Sequence, residues 1–390
     1  MTQTRPSTAA VQRDTVELAR QLIARRSITP DDGGCLGLIE ARLAAAGFAC
    51  ERLDRNGVSN LWARIGTAAP LVCMAGHVDV VPPGPTADWA SDPFAPTERL
   101  GYLYGRGASD MKGPLAAMVT AAERMAVSGA MAGSIALLLT SDEEGDAVDG
   151  TSWVVETLRT RGIAIDACIV GEPTSSHTLG DTIKNGRRGS LSGELRIKGV
   201  QCHIAYPERG LNPILAALPA LSELASTAWD EGNPDFQPTH FQISNVHAGT
   251  GAGNVIPGAL DVAFNLRFSP ESTAEQLQAR VIEVLDRHGL DYDLSWKPVA
   301  RAFRTPRGPL VDALVGAILD ATGVTPSLST SGGTSDGRFV ATIAGEVVEF
   351  GPINDTIHKV NERISTDDLG TLSRIYESTL VARLGAVEHR

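Results

Sequence analysis

The sequence predicts an α/β protein with a discontinuous catalytic domain, whose mainly parallel sheet is covered by helices, and an inserted ferredoxin-like α+β domain. Through the first half of the chain, short apolar runs bounded by turn residues alternate with helical patterns, which is typical of a largely parallel sheet. Within residues 189–302 the strand patterns change to an alternation of apolar and polar positions, with two helical patterns between them. The last segment returns to helix and strand, so the inserted domain interrupts the first.

The first part of the catalytic domain, residues 1–188, is predicted to begin with a helix over residues 8–26. One face of this helix is formed by Val11, Thr15, Leu18 and Leu22. A second, Ala- and Met-rich helix is predicted over residues 112–128. The apolar runs that read as buried strands are 71–74, 135–140 and 168–170.

The inserted domain, residues 189–302, shows the order β-α-β-β-α-β, which defines a ferredoxin-like unit. Its helices are predicted over 212–227 and 273–288, and its longest strand over 260–268. Residues 303–390 then complete the catalytic domain with further helices and a strand.

Composition and charge narrow the class of protein. With 390 residues and 43% apolar residues, the chain is long enough for two or three domains with buried cores. The net charge of −12 argues against nucleic acid and anionic membranes as partners. The five cysteines are scattered and odd in number, so we expect reduced thiols. Because the sequence has no long apolar stretch and its start lacks the apolar centre of a secretion signal, we expect a cytoplasmic location.

Acidic and histidine residues cluster where the predicted strands end. The clusters are Gly76-His77-Val78-Asp79, Ser109-Asp110, Asp142-Glu143-Glu144, Gly171-Glu172-Pro173 and Ile357-His358-Lys359. In open α/β sheets the functional crevice lies just outside the carboxyl ends of the strands. We therefore expect two imidazoles and several carboxylates to converge there.

This set of ligands contains nitrogen and oxygen but no thiolate, which suits Zn²⁺ first and Mn²⁺ or Co²⁺ next. Two imidazoles do not suffice for two ions, so a two-metal site needs a bridging carboxylate and others that cap each ion. Asp110, Glu144 and Glu172 supply that number. Two ions about 3.5–4 Å apart can share a water, lower its pKa toward about 7 and polarise a carbonyl. Glu143 remains to take the proton.

Each residue also has an ordinary structural interpretation. A histidine after a strand is usually a packed turn residue, residues 142–144 could form a solvated turn, and Asp110 could cap the helix that follows it. The joint pattern favours a metal centre.

These motifs, in this order and spacing, resemble the dizinc M20 family of metallopeptidases and deacylases. The resemblance covers nearly the whole chain and is carried by MAGHVDVVPPG, YGRGASDMKGPLAAM, TSDEEGDA, VGEPTS, RRGSLSGEL, GVQCHIAYP, GNVIPG, STSGGTSDGRF and FGPINDTIHKVNE. The metal motifs belong to the whole family, whereas RRGS, GGTSDGRF and IHKVNE point to its desuccinylase branch. That branch implies zinc-dependent hydrolysis of N-succinyl-L,L-2,6-diaminopimelate to succinate and L,L-2,6-diaminopimelate, a step of lysine and diaminopimelate biosynthesis.

The resemblance implies two Zn²⁺ ions per subunit, with Co²⁺ or Mn²⁺ able to substitute at one site. The implied ligands are His77, Asp110 and Glu172 for one ion and Asp110, Glu144 and His358 for the other, with Asp110 as the bridge. Glu143 is implied to be the general base, and Asp79 to orient His77. The Asp110–Met111 bond is implied to be cis.

The resemblance also implies that the inserted domain forms a homodimer and closes as a lid. His203 matches a histidine that reaches the partner subunit's active site and donates a hydrogen bond to the developing oxyanion. Asn254 matches a polar contact near the substrate. The alternative interpretation is that His203 is a polar residue at a strand end without a catalytic role.

The implied substrate is a small-molecule amide with three carboxylates, so this acidic protein needs local anion-binding groups. The predicted substrate-binding residues are Arg187, Arg188, Ser190, Asn254, Arg267, Gly333, Thr334 and Ser335. The Arg187–Arg188 pair could instead serve the domain junction. Two other functions remain: the same chemistry on another amide, such as N-acetylornithine or a short peptide, and a catalytically silent binding or assembly protein. The metal motifs alone do not separate one amide from another.

Overall fold

The computed structural model describes residues 6–129 and 131–385, and the chain divides into two compact units. Unit 1 comprises Met1–Gly186, Arg304–Ser329 and Ser335–Arg390. Unit 2 comprises Arg187–Phe303 and Thr330–Thr334. The domain limits drawn from the sequence, 1–188, 189–302 and 303–390, stay a prediction.

The strands follow in chain order. They are β1 (Ala49–Arg52), β2 (Asn60–Ile65), β3 (Leu71–His77), β4 (Thr97–Arg99), β5 (Tyr102–Tyr104), β6 (Ser134–Thr140), β7 (Ile165–Val170), β8 (Thr182–Lys184), β9 (Gly186–Arg187), β10 (Gly189–Lys198), β11 (Cys202–His203), β12 (His240–Ala248), β13 (Val255–Ile256), β14 (Ala259–Phe268), β15 (Tyr292–Trp296), β16 (Phe303–Arg304), β17 (Ser327–Ser329), β18 (Ala344–Glu349) and β19 (Arg363–Ser365).

The helices are α1 (Thr8–Ile23), α2 (Cys35–Ala45), α3 (Gly113–Ser128), α4 (Thr151–Thr160), α5 (Pro213–Ser226), α6 (Ala274–Arg287), α7 (Pro309–Thr322), α8 (Gly337–Val340) and α9 (Thr366–Leu384). The predicted helix over 112–128 is confirmed as α3, but a turn of π-helix, Ala108–Lys112, precedes it. In that turn Asp110 and Met111 have non-helical backbone angles.

Among the described residues, eight strands of unit 1 form one sheet in the order β1-β2-β6-β3-β7-β18-β8-β17. The central pairs β6–β3, β3–β7 and β7–β18 are parallel. The strands β1 and β2 extend the β6 edge in antiparallel fashion. The mainly parallel sheet that the sequence predicts is therefore confirmed.

Both faces of this sheet are covered. Val72 and Met74 of β3 join the core that α1, α3 and α9 complete. The intervening residues point to the opposite face, where Cys73 is also fully buried. On β6, Leu138 is buried in the same alternating way, and α4 packs against β2 and β6. Burial on both faces explains why these strands read as continuous apolar runs.

Unit 2 contains an antiparallel sheet in the order β12-β14-β10-β15. With α5 and α6 this is the ferredoxin-like arrangement that the alternation predicts. Every second residue of β14, from Leu260 to Phe268, packs into a core with Leu221 of α5 and Leu277 of α6. Thr273 and Gln276 form a capping box that starts α6. The polar residues between the core positions lie on the opposite face of the sheet.

Within the described ranges, the helices are all too short or too polar to cross a lipid bilayer.

Candidate metal centre

The polar clusters of unit 1 lie at one edge of the parallel sheet. His77 is the last residue of β3 and is in register with Thr140, the last residue of β6. Glu143 follows β6 by three residues, and Glu172 follows β7 by two. Because these strands run in parallel, the sheet itself brings their carboxyl ends together.

Small residues at two of these strand ends leave room for Met111. A Cβ atom on Gly76 would lie 2.4 Å from Met111 Cε, and one on Gly171 would lie 2.5 Å from it. The backbone N–H of His77 also lies 3.3 Å from Met111 Sδ. The peptide bond between Asp110 and Met111 is cis, as the resemblance implies. Glycine at both positions thus leaves space for the Met111 side chain against the strand ends, next to Asp110, which contacts the histidines.

The two histidines face the two oxygens of one buried carboxylate. His77 Nε2 is 3.2 Å from Asp110 Oδ1, and His358 Nε2 is 3.3 Å from Asp110 Oδ2. His358 Nε2 is also 2.9 Å from Glu144 Oε1. An imidazole on each oxygen is the arrangement that a carboxylate needs to bridge two cations.

The tautomer of His77 favours a cation at this position. Its Nδ1 lies 2.9 Å from the carbonyl oxygen of Asp79, which accepts a proton but has none to give. With the Nδ1 proton donated there, the Nε2 lone pair of the neutral ring points at Asp110 Oδ1. Two acceptors at this distance require a proton or a cation between them. The donor set therefore fits a metal ion.

Two overlapping groups of side chains could hold ions. His77, Glu143 and Glu172 place ligand atoms within 4.8 Å of one another, and so do His77, Asp110 and Glu144. All the metal ligands predicted in unit 1, together with Glu143, are thus near one another or linked through Asp110. Their imidazole and carboxylate chemistry suits Zn²⁺, and also Mn²⁺ or Co²⁺.

Asp79 connects His77 to the turn that carries the two glutamates. The Asp79 side chain is fully buried and accepts the backbone N–H of Glu144 at 3.1 Å and that of Glu143 at 3.4 Å. Its Oδ1 lies 3.5 Å from His77 Nδ1. These contacts favour the positioning role predicted for Asp79.

The mutual contacts shift the acidities of these groups. Burial by itself lowers the pKa of His77, but Asp110 and Asp79 outweigh it and hold that pKa well above its usual range. Burial likewise raises the pKa of Asp110, but His358 and His77 outweigh it and lower that pKa. Hydrogen bonds to Asp110 and Glu144 raise the pKa of His358 to about 10. A cation that binds here must therefore displace protons from the imidazoles.

The surroundings of Glu143 increase the affinity of its carboxylate for a proton. Burial, followed by the charge of Glu172, raises the pKa of Glu143 well above its usual range. Perturbed carboxyl groups of this kind are typical of general acid–base catalysis.

Sequence reasoning missed Asp336, which belongs to the GGTSDGRF segment. Asp336 is 2% exposed, and burial raises its pKa to about 6. Its charge also contributes to the raised pKa of Glu143. The sequence does contain a signal for Asp336, because this acidic residue directly follows the predicted substrate-binding residues Gly333 to Ser335 in the same motif. Ser335 itself is buried in unit 1 and donates its hydroxyl to Glu349.

Basic residues predicted to bind substrate collect at one end of the unit 2 sheet. Ser190 on β10 and His240 on β12 are both in register with Arg267 on β14. Arg188 Nη1 lies 3.3 Å from His240 Nδ1. Arg188 is 9% exposed, and its buried Nε has no hydrogen-bond partner among the residues that the structure describes. His240 lies outside every motif and is exposed, as the sequence predicts for a histidine without motif context, but the sequence gives no sign of its place beside Arg188.

Arg187 fixes the glycine-rich segment that contains Gly333 and Thr334. Its Nη1 donates to the carbonyl oxygen of Ser331 at 2.9 Å. A Cβ on Gly332 would lie 2.6 Å from that same Nη1, and the φ angle of Gly332 is 101°, so only glycine suits this position.

His203 ends one strand of a small two-stranded ribbon in unit 2, and Asn254 directly precedes the other strand, β13. His203 pairs with Val255, and the N–H of Ile204 donates to the carbonyl oxygen of Asn254 at 3.0 Å. The N–H of Ala205 donates to His203 Nδ1 at 3.1 Å, so the neutral ring carries its proton on Nε2. Both side chains are exposed, and the His203 ring is prepared to donate a hydrogen bond.

A mainly parallel sheet that carries such a His, Asp and Glu cluster at its carboxyl edge is typical of metal-dependent hydrolases. Residues 73–382 match the model of peptidase family M20/M25/M40. Succinyl-diaminopimelate desuccinylase from Thiobacillus denitrificans is 59% identical to this chain over 98% of both proteins. The enzyme of the same name from Aromatoleum aromaticum is 62% identical over 95% of this chain and 97% of its own. An M20 family metallo-carboxypeptidase from Sulfolobus solfataricus shares the fold, with a TM-score of 0.82 at 19% identity over 95% of this chain and 99% of its own.

The chain belongs to peptidase family M20/M25/M40.

Proposed function

We propose that this protein hydrolyses N-succinyl-L,L-2,6-diaminopimelate to succinate and L,L-2,6-diaminopimelate in the cytoplasm, as a step of lysine and diaminopimelate biosynthesis. The observation that carries the chemistry is Asp110, whose two oxygens each face an imidazole. The substrate is supported by relatives named succinyl-diaminopimelate desuccinylase, which are about 60% identical to this chain over nearly its whole length.

Two Zn²⁺ ions fit the donor set of unit 1, and Co²⁺ or Mn²⁺ suits the same ligands. His77, Asp110 and Glu172 would hold one ion, and Asp110, Glu144 and His358 the other. When bound, the ions act as Lewis acids on the amide carbonyl and make a water molecule more acidic.

Glu143 accepts a proton from the attacking water at its carboxylate and returns that proton to the leaving nitrogen. The raised pKa of Glu143 suits both steps, because the group must hold the proton and then release it. Asp79 keeps His77 in the tautomer that directs Nε2 into the site, through the contact between His77 Nδ1 and the carbonyl oxygen of Asp79.

Unit 2 supplies the recognition groups in this proposal. A substrate with three carboxylates needs several cationic donors, and Arg188 and Arg267 lie with Ser190 at one end of the sheet. Arg187 holds the segment with Gly333 and Thr334, whose backbone groups would also contact the substrate. Asn254 would supply a further polar contact.

We infer that the protein works as a homodimer formed through unit 2. Large apolar side chains stay exposed on this unit, with Leu215 at 64%, Ile204 at 55% and Leu218 at 54%. Leu215 and Leu218 are three positions apart on α5 and so share one helix face, and a contiguous exposed apolar face of this kind is typical of an association surface. In the dimer, His203 would donate from Nε2 to the oxyanion in the partner subunit's site.

The experiment that tests this function compares initial hydrolysis rates on zinc-loaded protein and on protein stripped by a chelator. N-succinyl-L,L-2,6-diaminopimelate and N-acetylornithine are supplied side by side. We expect zinc-dependent turnover with a strong preference for the succinyl substrate over N-acetylornithine. Preference for N-acetylornithine would show that the pocket recognises a different amide substrate. Turnover of neither compound would refute the hydrolase proposal.

A further inference from the structure

Glu362 is a fully buried carboxylate outside the predicted ligand set, and within the described residues its side-chain partners all lie in the segment that carries Asp110. Its Oε1 accepts the backbone N–H groups of Ser109 at 2.9 Å and Asp110 at 3.0 Å. Its Oε2 accepts the N–H of Gly107 at 2.9 Å and Arg106 Nη1 at 2.8 Å. One side chain thus binds three backbone amides and a guanidinium.

These contacts compensate for an irregular backbone. Asp110 has φ −124° and ψ 96°, and Met111 has φ −131°, so the turn does not follow α-helical geometry here. Buried amides in such a turn need acceptors other than the helix itself. Glu362 is the acceptor for two consecutive amides, and the second of them belongs to Asp110.

The same residue is tied to the turn that carries His358, four positions earlier in the chain. Arg106 Nη1 donates to the carbonyl oxygen of Lys359 at 3.1 Å as well as to Glu362. The N–H of Gly105 donates to the carbonyl oxygen of Glu362 at 3.0 Å. His358 and Asn361 both have φ 59°, so this turn is unusual for non-glycine residues and is held by these tertiary contacts.

Two segments, one with Asp110 and one with His358, are therefore fastened to each other through a single buried carboxylate. The hydroxyl of Ser109 adds a further bond, to the carbonyl oxygen of Arg363 at 2.9 Å. The distances of 3.2 Å and 3.3 Å between Asp110 and the two imidazoles depend on how these segments are placed.

We propose that Glu362 is a positioning residue of the metal centre: it fixes the backbone of Asp110 against the His358 turn, so that both oxygens of Asp110 face an imidazole. This inference rests on the metal centre of the proposed function and extends it to a residue outside the predicted ligand set. Outer residues that orient ligands typically contribute 10–100-fold in metal affinity or activity.

The test is the zinc affinity of the full-length protein, measured by competition with a chromophoric chelator. Glu362→Gln keeps the size of the side chain but turns one acceptor into a donor, which then faces either Arg106 and Gly107 or Ser109 and Asp110. We expect zinc to bind about 10–100-fold more weakly. The absorption spectrum of the Co²⁺-loaded variant should change, and its kcat should fall while the KM for substrate stays within about twofold.

The matched control is Glu377→Gln, which removes the charge from a second, less deeply buried Arg–Glu pair of unit 1, between Arg124 Nε and Glu377 Oε2 at 2.6 Å. Zinc affinity and the Co²⁺ spectrum should not change in this variant. Glu362→Asp keeps two acceptor oxygens and should bind zinc more tightly than Glu362→Gln. If neither Glu362 variant folds, Arg106→Lys tests the same link, because it keeps the positive charge but loses the guanidinium. This variant should also bind zinc more weakly than the wild type.

Zinc affinity and Co²⁺ spectra equal to those of the wild type in every folded variant would overturn the proposal, even if thermal stability fell. A wild-type protein that binds no zinc would instead refute the metal centre itself. The two failures are therefore distinguishable.

Discussion

The two units carry candidate sites that are built in opposite ways. In unit 1 the functional groups contact one another: Asp110 alone lies next to both His77 and His358. In unit 2 they contact mainly their own scaffold, as when Arg187 donates to the carbonyl oxygen of Ser331. A cluster of mutually bonded acids and imidazoles can hold cations, whereas separate, oriented donors suit recognition of an anionic substrate. Chemistry and specificity should therefore respond to different substitutions.

The largest expected effect separates two adjacent residues of unit 1. Glu143→Ala should lower kcat by about 10²–10⁴-fold with zinc content unchanged, because only the proton acceptor is lost. Glu144→Ala, the matched neighbour, should lose bound zinc, because Glu144 is predicted to be a ligand. The measurements are kcat and zinc per subunit. Equal kcat in Glu143→Ala at matched zinc content would remove Glu143 from the mechanism.

The next effect belongs to His203 in unit 2. Losing a donor to an oxyanion costs about 10²–10³-fold in kcat, so His203→Ala should fall by that factor and keep its zinc. His247→Ala is the control, because His247 is another exposed histidine of unit 2, on β12.

Mixed dimers sharpen this prediction. If His203 acts on the partner subunit's site, a heterodimer of Glu143→Ala and His203→Ala subunits contains one intact site, and mixing should restore activity. No restoration in a confirmed heterodimer would show that His203 does not act across subunits.

The sequence predicts site residues that belong to local patterns better than residues that are placed by long-range contacts or strand register. Part of the metal cluster was predictable because His77, Glu144 and Glu172 lie at or just after the ends of neighbouring parallel strands, so that local patterns imply a shared edge. Glu362 was not, because its partners Ser109 and Asp110 lie more than 250 positions away and bind it through backbone amides that leave no sequence pattern. The position of His240 was missed because only the register of β12 with β14 places it opposite Arg267.

A smaller effect tests recognition in unit 2. Arg267→Ala should raise the KM for the tricarboxylate substrate by about 10–100-fold, the range for a charged hydrogen bond, with a lesser change in kcat. N-acetylornithine, which has fewer carboxylates, should show a smaller change. Arg196→Ala is the control, because Arg196 lies on the same sheet but pairs with Asp261 at 3.1 Å and is 57% exposed. Equal KM changes for both substrates would argue against carboxylate recognition by Arg267.

The smallest effect concerns His240, whose pKa is lowered from its usual range by burial and then by Arg188 and Arg267. The folded protein thus binds this proton less tightly than the unfolded chain, whose imidazole titrates near about 6.5. Stability should therefore fall as the pH decreases through that value, because the unfolded state then takes up the proton. His240→Gln cannot titrate and should lose this part of the acid sensitivity, a difference of about 1–2 °C in melting temperature between pH 7 and pH 5. Thermal unfolding across that range measures it, and parallel curves for variant and wild type would show that the two arginines do not repel a proton from His240.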